Sequence, residues 1–151
     1  MTPNDVLNVQ RSWTLLHARR GALLAALTER FECAAPTGIP AELRAGWLFD
    51  AVEELVGLLN IPSRLAECAC DIGITWPDPL TAPSFAIDGR AWLSAASDCS
   101  ASWTDSTDAA WRQAWLLLSD VLAAETLSPF ADAEPPCQKK PARTLNPTPD
   151  D

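Results

Sequence analysis

Histidine and tyrosine are the scarcest of the residue types that often carry chemistry in proteins. The sequence holds one histidine, His17, and no tyrosine. His17 forms no catalytic motif with Asp5 or with a serine, and no glycine-rich phosphate loop is present. Glu53 and Glu54 are adjacent on a predicted helix, where neighbouring positions do not face each other, so they form no carboxylate pair. We therefore expect no enzymatic activity.

Long apolar runs and basic residues are also scarce. The apolar run at residues 21–27 follows Arg19-Arg20, but it is far shorter than the roughly 18–20 residues of a membrane span. An internal buried helix explains this run better than a signal core or a membrane anchor. The net charge is −9, and both lysines, Lys139 and Lys140, lie near the C terminus. Because such a surface repels phosphate, we expect neither nucleic acid nor a membrane as a partner.

The five cysteines are an odd number, so at least one of them cannot pair within the chain. No N-terminal signal precedes them, and we expect free thiols in a reducing cytoplasm. The spacing of Cys68 and Cys70 is too short for a zinc site, and no second cysteine pair accompanies them. We therefore expect no metal.

Apolar residues recur at helical spacing through most of the chain, and no segment alternates as a strand does. The predicted fold class is therefore all-α. Thr2, Pro3 and Asp5 predict the capped start of the first helix, and Thr104 predicts the cap of the last. The predicted helices span about residues 3–16, 20–33, 42–59, 63–70 and 84–97, and from 105 onward. Residues 1–132 are expected to form one helical domain, and residues 133–151 a disordered proline-rich tail.

Tryptophan is abundant, with seven residues in the chain. Trp13, Trp92, Trp111 and Trp115 fall on apolar helix faces, so we expect them in the core. Trp103 precedes the last helix, and we expect it to be partly exposed. This makes Trp103 the candidate anchor for contact with a partner.

Several short segments stand in a characteristic order. They are Thr2-Pro3 with Val9-Gln10-Arg11-Ser12-Trp13, Arg30-Phe31 followed by Pro36, Leu59-Asn-Ile-Pro-Ser-Arg-Leu65, Ile72-Gly73, Phe85 with Gly89, and Trp103-Thr104-Asp105 leading to Ala110-Trp111. In this order they resemble segments of bacterial single-domain globins and of flavohaemoglobin globin domains. The resemblance covers about residues 2–127 and implies a globin-like helical fold of about six helices.

The same resemblance places Trp76 where the family has its haem-ligating histidine, three residues after Gly73. An indole nitrogen is a donor with no lone pair available for iron, so Trp76 cannot replace that histidine. Residues 37–43 also lack the phenylalanine that the family packs against haem. The distal side of the pocket would lie near Arg44, which is not a haem ligand either. The resemblance therefore implies a globin-like fold without haem.

Our first hypothesis is accordingly a haem-free globin-like domain that acts as a regulatory or sensory module with a protein partner and no cofactor. Globin-like folds without haem occur in stress-signalling regulators and, carrying bilins, in phycobiliproteins. The acidic body would favour a basic partner surface, and Lys139-Lys140-Pro-Ala-Arg143 would be a separate tether. Because subunits of the family often pair through their last two helices, a homodimer is also expected.

Two alternatives remain open. The first is a divergent haem protein for oxygen or nitric oxide, with a thiolate of Cys68 or Cys70 on the iron. The second is a carrier of a bilin or another apolar ligand in the vacated pocket. Trp47 and Trp76 would border that pocket, where their rings either fill the space or line a cavity.

Overall fold

The computed structural model describes residues 1–34, 38–75 and 82–126. The predicted tail at residues 133–151 lies outside these ranges. Within them the fold is all-α, as predicted, and holds six helices. These are α1 (Pro3–His17), α2 (Arg20–Cys33), α3 (Ala41–Leu58), α4 (Pro62–Thr75), α5 (Ala82–Cys99) and α6 (Asp105–Thr126).

The start of α1 shows the predicted cap in full. The Thr2 hydroxyl accepts a hydrogen bond from the Asp5 backbone N–H, and the Asp5 carboxylate accepts one from the Thr2 backbone N–H. This reciprocal arrangement satisfies donors that the first turn of a helix otherwise leaves unpaired. At α6, Thr104 accepts a hydrogen bond from the Thr107 backbone N–H at 3.2 Å. Both helix starts therefore follow from local sequence.

Two helices are longer than the sequence predicts. The fourth was expected to end near Cys70 and before Gly73, but α4 continues to Thr75. A single glycine inside a helix costs only about 1 kcal/mol relative to alanine, so it does not end a helix that packs on its neighbours. The fifth was expected to begin near Ser84, whereas α5 begins at Ala82. Pro83 is tolerated there because the first turn leaves its backbone N–H groups without helical partners.

The helices form two groups that share one core. α2 packs mainly on α3 and α5, and α1 packs mainly on α6. α5 also contacts α6, which joins the two groups, and α4 contacts both α3 and α6. Leu48, Val52 and Leu55 of α3 are buried in this core, as is Leu59, which follows the helix end. In the described part of the chain, no helix is both long and apolar enough to cross a membrane.

Trp92 lies at the centre of an aromatic cluster. Its ring centroid is 5.5 Å from that of Trp111, 5.9 Å from that of Trp13 and 6.4 Å from that of Trp115. Trp92, Trp111 and Trp115 are buried, as predicted, whereas Trp13 is half-buried and packs on the core from one side. These rings therefore fill the space between α1, α5 and α6.

The two innermost tryptophans differ in how their N–H groups are satisfied. Trp111 Nε1 donates to the hydroxyl oxygen of Ser12 at 2.8 Å. The Ser12 hydroxyl in turn lies 2.8 Å from the Asn8 carbonyl oxygen and 2.9 Å from that of Val9. Trp92 Nε1 is equally buried but has no hydrogen-bond acceptor among the described residues. An unpaired buried donor costs stability, because it has lost its hydrogen bonds to water.

This difference predicts that Trp92→Phe lowers the free energy of unfolding less than Trp111→Phe does. Both changes delete the same ring atoms from a buried site. Trp92→Phe also removes an unpaired donor, whereas Trp111→Phe removes a hydrogen bond, so the two should differ by about 1–3 kcal/mol. Urea denaturation of both variants measures the difference. Equal losses of stability would contradict it.

Candidate functional site

Arg44, the residue predicted at the distal side of a vacated pocket, lies at a junction of three helices. It belongs to the second turn of α3 and is buried. Its Nη2 donates to Oδ1 of Asp88 on α5 at 2.5 Å, and neither side chain is more than 8% exposed. The guanidinium carbon lies 4.5 Å from the ring centroid of Phe31 on α2. Arg44 therefore connects α3 to both α2 and α5 from inside the protein.

The helical positions of both partners explain this placement. Arg44 precedes the buried Leu48 by four residues, so both side chains lie on the inner face of α3. Asp88 precedes the buried Trp92 by four residues and so shares the inner face of α5. A charge on each inner face would be costly alone, but the two opposite charges meet and form a hydrogen-bonded pair.

Gly89, next to Asp88, allows α5 to approach α6 closely. A Cβ atom at this position would lie 2.1 Å from Nε1 of Trp115, a distance that real atoms do not adopt. The spacing of Gly89 from Phe85 is one of the features on which the globin resemblance rests. The structure supplies the physical reason for glycine here, which is contact with the indole of a buried tryptophan.

Burial raises the pKa of the Asp88 carboxyl above its ordinary value, because the charged form loses its hydration. Arg44 offsets part of this rise through its charge and its hydrogen bond. The folded protein therefore holds the Asp88 proton at a pH where the unfolded chain has already released it. The contribution of Asp88 to stability falls as the pH rises from its ordinary pKa of 3.8 through the raised value.

The contribution of Asp5 to stability should have the opposite pH dependence, so Asp5 serves as the control. Its hydrogen bonds from Thr2 lower its pKa, so its contribution is present above the ordinary value and is lost as the pH falls. We expect the stability of the wild type relative to Asp88→Asn to fall with rising pH above 3.8. The stability relative to Asp5→Asn should rise with pH in the acidic range. Denaturation curves across this range measure both, and slopes of the same sign would contradict the assignment.

The sequence predicted three further site residues, Trp47 and Trp76 beside the pocket and Trp103 as a contact anchor. Trp47 lies on α3 one turn after Arg44 and is half-buried. Trp76 lies outside the described residues, so its predicted position beside Arg44 and Trp47 stays a prediction. Trp103 lies between α5 and α6, where it is half-buried and packs on the core. Its Nε1 lies 3.4 Å from Oδ1 of Asp108, which holds one edge of the indole against the start of α6.

Cys68, the candidate thiolate ligand of the haem alternative, is half-buried on α4. Its Sγ lies 3.5 Å from Oε2 of Glu54 on α3. Burial raises the pKa of the Cys68 thiol to about 11, and the hydrogen bond to Glu54 and the negative charge of that residue add to the rise. The thiol is therefore protonated at neutral pH. The side chain of Cys70 is not among those that the structure describes.

The single histidine is about half exposed near the end of α1. His17 Nε2 lies 3.1 Å from Oε1 of Glu53 on α3, and the imidazole meets the ring of Trp13 edge-on. Glu53 and Glu54 are both exposed, and they contact different partners. Among the described residues, no three or more His, Cys, Asp or Glu side chains gather into a group that could hold a metal ion.

Sequence reasoning missed Asp88 as the partner of Arg44. The signal that could have found it is an acidic residue on an otherwise apolar helix face, because Asp88 stands one turn before Trp92 and two turns before Ala95 and Ala96. An acid at such a position needs a buried partner. The partner itself lies 44 residues away in the chain, and no local pattern identifies it.

Comparison with known proteins identifies no relative of this chain. The chain matches no protein-family model, no curated protein and no solved structure.

Proposed function

We propose that this protein is a haem-free globin-like domain that acts as a regulatory or sensory module by binding a protein partner. The observation that carries the proposal is the buried Arg44–Asp88 pair. The globin resemblance assigns Arg44 to the distal side of a haem pocket. In the structure its guanidinium binds Asp88 of α5 and lies against Phe31 of α2. A porphyrin between Arg44 and Asp88 would break this buried ion pair.

The globin-like part of the proposal rests on the sequence resemblance, and the helix contacts are those of one shared core. Globins pack their helices pairwise around one pocket rather than in parallel bundles. Here α2 packs on both α3 and α5, α1 packs on α6, and α5 and α6 contact each other. These contacts join helices from both ends of the chain, as a single globin-like core requires.

The candidate iron ligands support the haem-free part. The resemblance assigns Trp76 to the proximal position, and an indole does not bind iron. Haem ligation by cysteine requires a thiolate free to reach the iron, and the Sγ of Cys68 lies 3.5 Å from Oε2 of Glu54. A divergent haem protein for oxygen or nitric oxide is therefore the weaker of the two proposals.

The partner is proposed from charge and from Trp103. The net charge of −9 favours a basic partner surface. Trp103 offers a half-exposed indole at the corner between α5 and α6, and large aromatic side chains are common anchors in protein interfaces. A homodimer through α5 and α6 stays a prediction.

Titration with haemin under reducing conditions tests the haem-free proposal. We expect the protein as expressed to show a flat visible spectrum, and added haemin to bind weakly without a defined stoichiometry. A sharp one-to-one Soret shift would contradict the proposal. Cys68→Ser then serves as the matched variant, because loss of that Soret shift would identify the thiolate ligand of the haem alternative.

A comparison of two surface variants tests the partner proposal. Trp103→Ala removes the proposed anchor, and Leu116→Ala removes a leucine that is 57% exposed on α6. After circular dichroism has shown both variants folded, each is used as bait beside the wild type. We expect a partner retained by the wild type and by Leu116→Ala to be lost with Trp103→Ala. Equal retention by both variants would contradict the role of Trp103.

A further inference from the structure

The outer side of α3 carries apolar residues that the fold leaves partly uncovered. Leu43 is 46% exposed, and Trp47, four residues later, is half-buried. Asp50 follows three residues after Trp47, and its side chain is 61% exposed. Because residues three and four apart are neighbours on a helix surface, these side chains form one stripe. We call Leu43, Trp47 and Asp50 the outer stripe of α3.

Gly46 lies beside this stripe, three residues after Leu43 and four before Asp50. Among the described glycines only Gly38 has a positive φ, so Gly46 needs no special backbone conformation. Beyond its own helix turn, no atom of the described residues stands within 4 Å of a Cβ built there. A glycine inside a helix lowers stability relative to alanine, and the described fold gains nothing in return. Such a break of a local rule is typical of a surface that binds another molecule.

Acidic groups around the outer stripe outnumber basic ones. Four exposed acids lie on this helix, and they are Glu42, Asp50, Glu53 and Glu54. Arg20 Nη2 lies 3.4 Å from Oδ1 of Asp50, and His17 contacts Glu53. Glu54 contacts the neutral thiol of Cys68. Within the described part of the chain, no basic side chain forms an ion pair with Glu42 or Glu54. The surface therefore keeps a negative charge beside its apolar residues.

We infer that the outer stripe of α3 binds a basic amphipathic helix of a partner protein. An apolar ridge of that helix crosses α3 at Gly46, where the missing side chain allows close approach, and packs on Leu43 and Trp47. Lysine or arginine residues beside the ridge face Asp50 and Glu54. The outer stripe thus combines an apolar contact with a charge that selects a basic partner.

This inference rests on the proposed function only in that the protein acts through a protein partner. It uses a surface on α3, whereas Trp103 lies between α5 and α6. Binding at α3 is independent of haem, so the haemin result does not decide it. We expect Trp103→Ala to retain binding at α3, and the two contacts therefore fail separately.

Calorimetric titration with a synthetic helical peptide tests the surface. The peptide has leucine at every third or fourth position and lysine elsewhere, and the control peptide has glutamate in place of lysine. We expect the lysine peptide to bind one-to-one, more weakly as salt is added, and the glutamate peptide to bind at least about tenfold more weakly. Equal affinity for the two peptides would overturn the basic partner. Absence of binding by the lysine peptide would overturn the surface.

Two glycine variants locate the binding. Gly46→Leu blocks the close approach, and Gly21→Leu makes the same change on α2, where a Cβ also meets no described atom within 4 Å. With both variants folded by circular dichroism, we expect the affinity for the lysine peptide to fall about tenfold or more in Gly46→Leu only. Binding that survives in Gly46→Leu, or that falls equally in both variants, would overturn the location.

A second pair of variants tests the apolar contact. Leu43→Gln removes an apolar group from the outer stripe, and Leu116→Gln removes one that is 57% exposed on α6. We expect only Leu43→Gln to weaken peptide binding, and equal affinity in both variants would contradict the role of Leu43. Sedimentation of the protein alone tests a second copy as the occupant. A dimer that Gly46→Leu dissociates would overturn the inference in favour of self-association.

Discussion

Loss of either charge of the Arg44–Asp88 pair is expected to lower the free energy of unfolding by about 3–5 kcal/mol, and loss of both charges by much less. Arg44→Met leaves a carboxylate in a place that is 2% exposed for that side chain, and Asp88→Leu leaves a buried guanidinium. In either single variant, one charged side chain remains buried without its partner. The double variant places two apolar side chains against each other and removes both penalties.

A double-mutant cycle measures this coupling from urea denaturation of the four proteins. The matched control is the pair of Arg20 and Asp50, whose side chains are 51% and 61% exposed. Because water screens that pair, its coupling should be about 0–1 kcal/mol. If the losses of unfolding free energy at Arg44 and Asp88 are additive, and as small as those of the exposed pair, the buried contact contributes little.

Gly89→Ala is expected to be the most destabilising single-methyl change in the described core. The added Cβ would lie 2.1 Å from Nε1 of Trp115 and 2.3 Å from its Cδ1, so the indole or α5 must move. Trp115 packs on Trp92 in the aromatic cluster, where there is little room for a shifted ring. Overpacking of a core costs about 1–3 kcal/mol, and a clash this short should reach the upper end of that range.

Gly46→Ala is the control for helix propensity. Gly46 lies inside α3, and beyond its own helix turn no atom of the described residues stands within 4 Å of a Cβ built there. Alanine should therefore stabilise the protein by about 0.5–1 kcal/mol, because it restricts the unfolded chain without meeting an obstacle. Thermal unfolding of both variants should give shifts of opposite sign. A Gly89→Ala variant as stable as the wild type would show that α5 and α6 separate easily.

The local features of the fold were predictable from the sequence. Thr2, Pro3 and Asp5 determine where α1 begins, since a capping box involves only residues in one turn. The spacing of apolar residues predicted the all-α class, because helical periodicity depends on local geometry alone. The helix ends of α4 and α5 were less predictable, since packing on neighbours lengthens a helix past a glycine or a proline.

The site was only partly predictable for a related reason. The resemblance assigned Arg44 to the distal side of the pocket and Gly89 to a family motif, but nothing near them in the chain indicates what they contact. Arg44 meets Asp88 across 44 residues, and Gly89 meets Trp115 on another helix. The sequence by itself determined the helical class and the starts of α1 and α6, because these depend on interactions within a few turns. Only the tertiary structure decided which charges pair and which rings meet, because these depend on how distant helices pack.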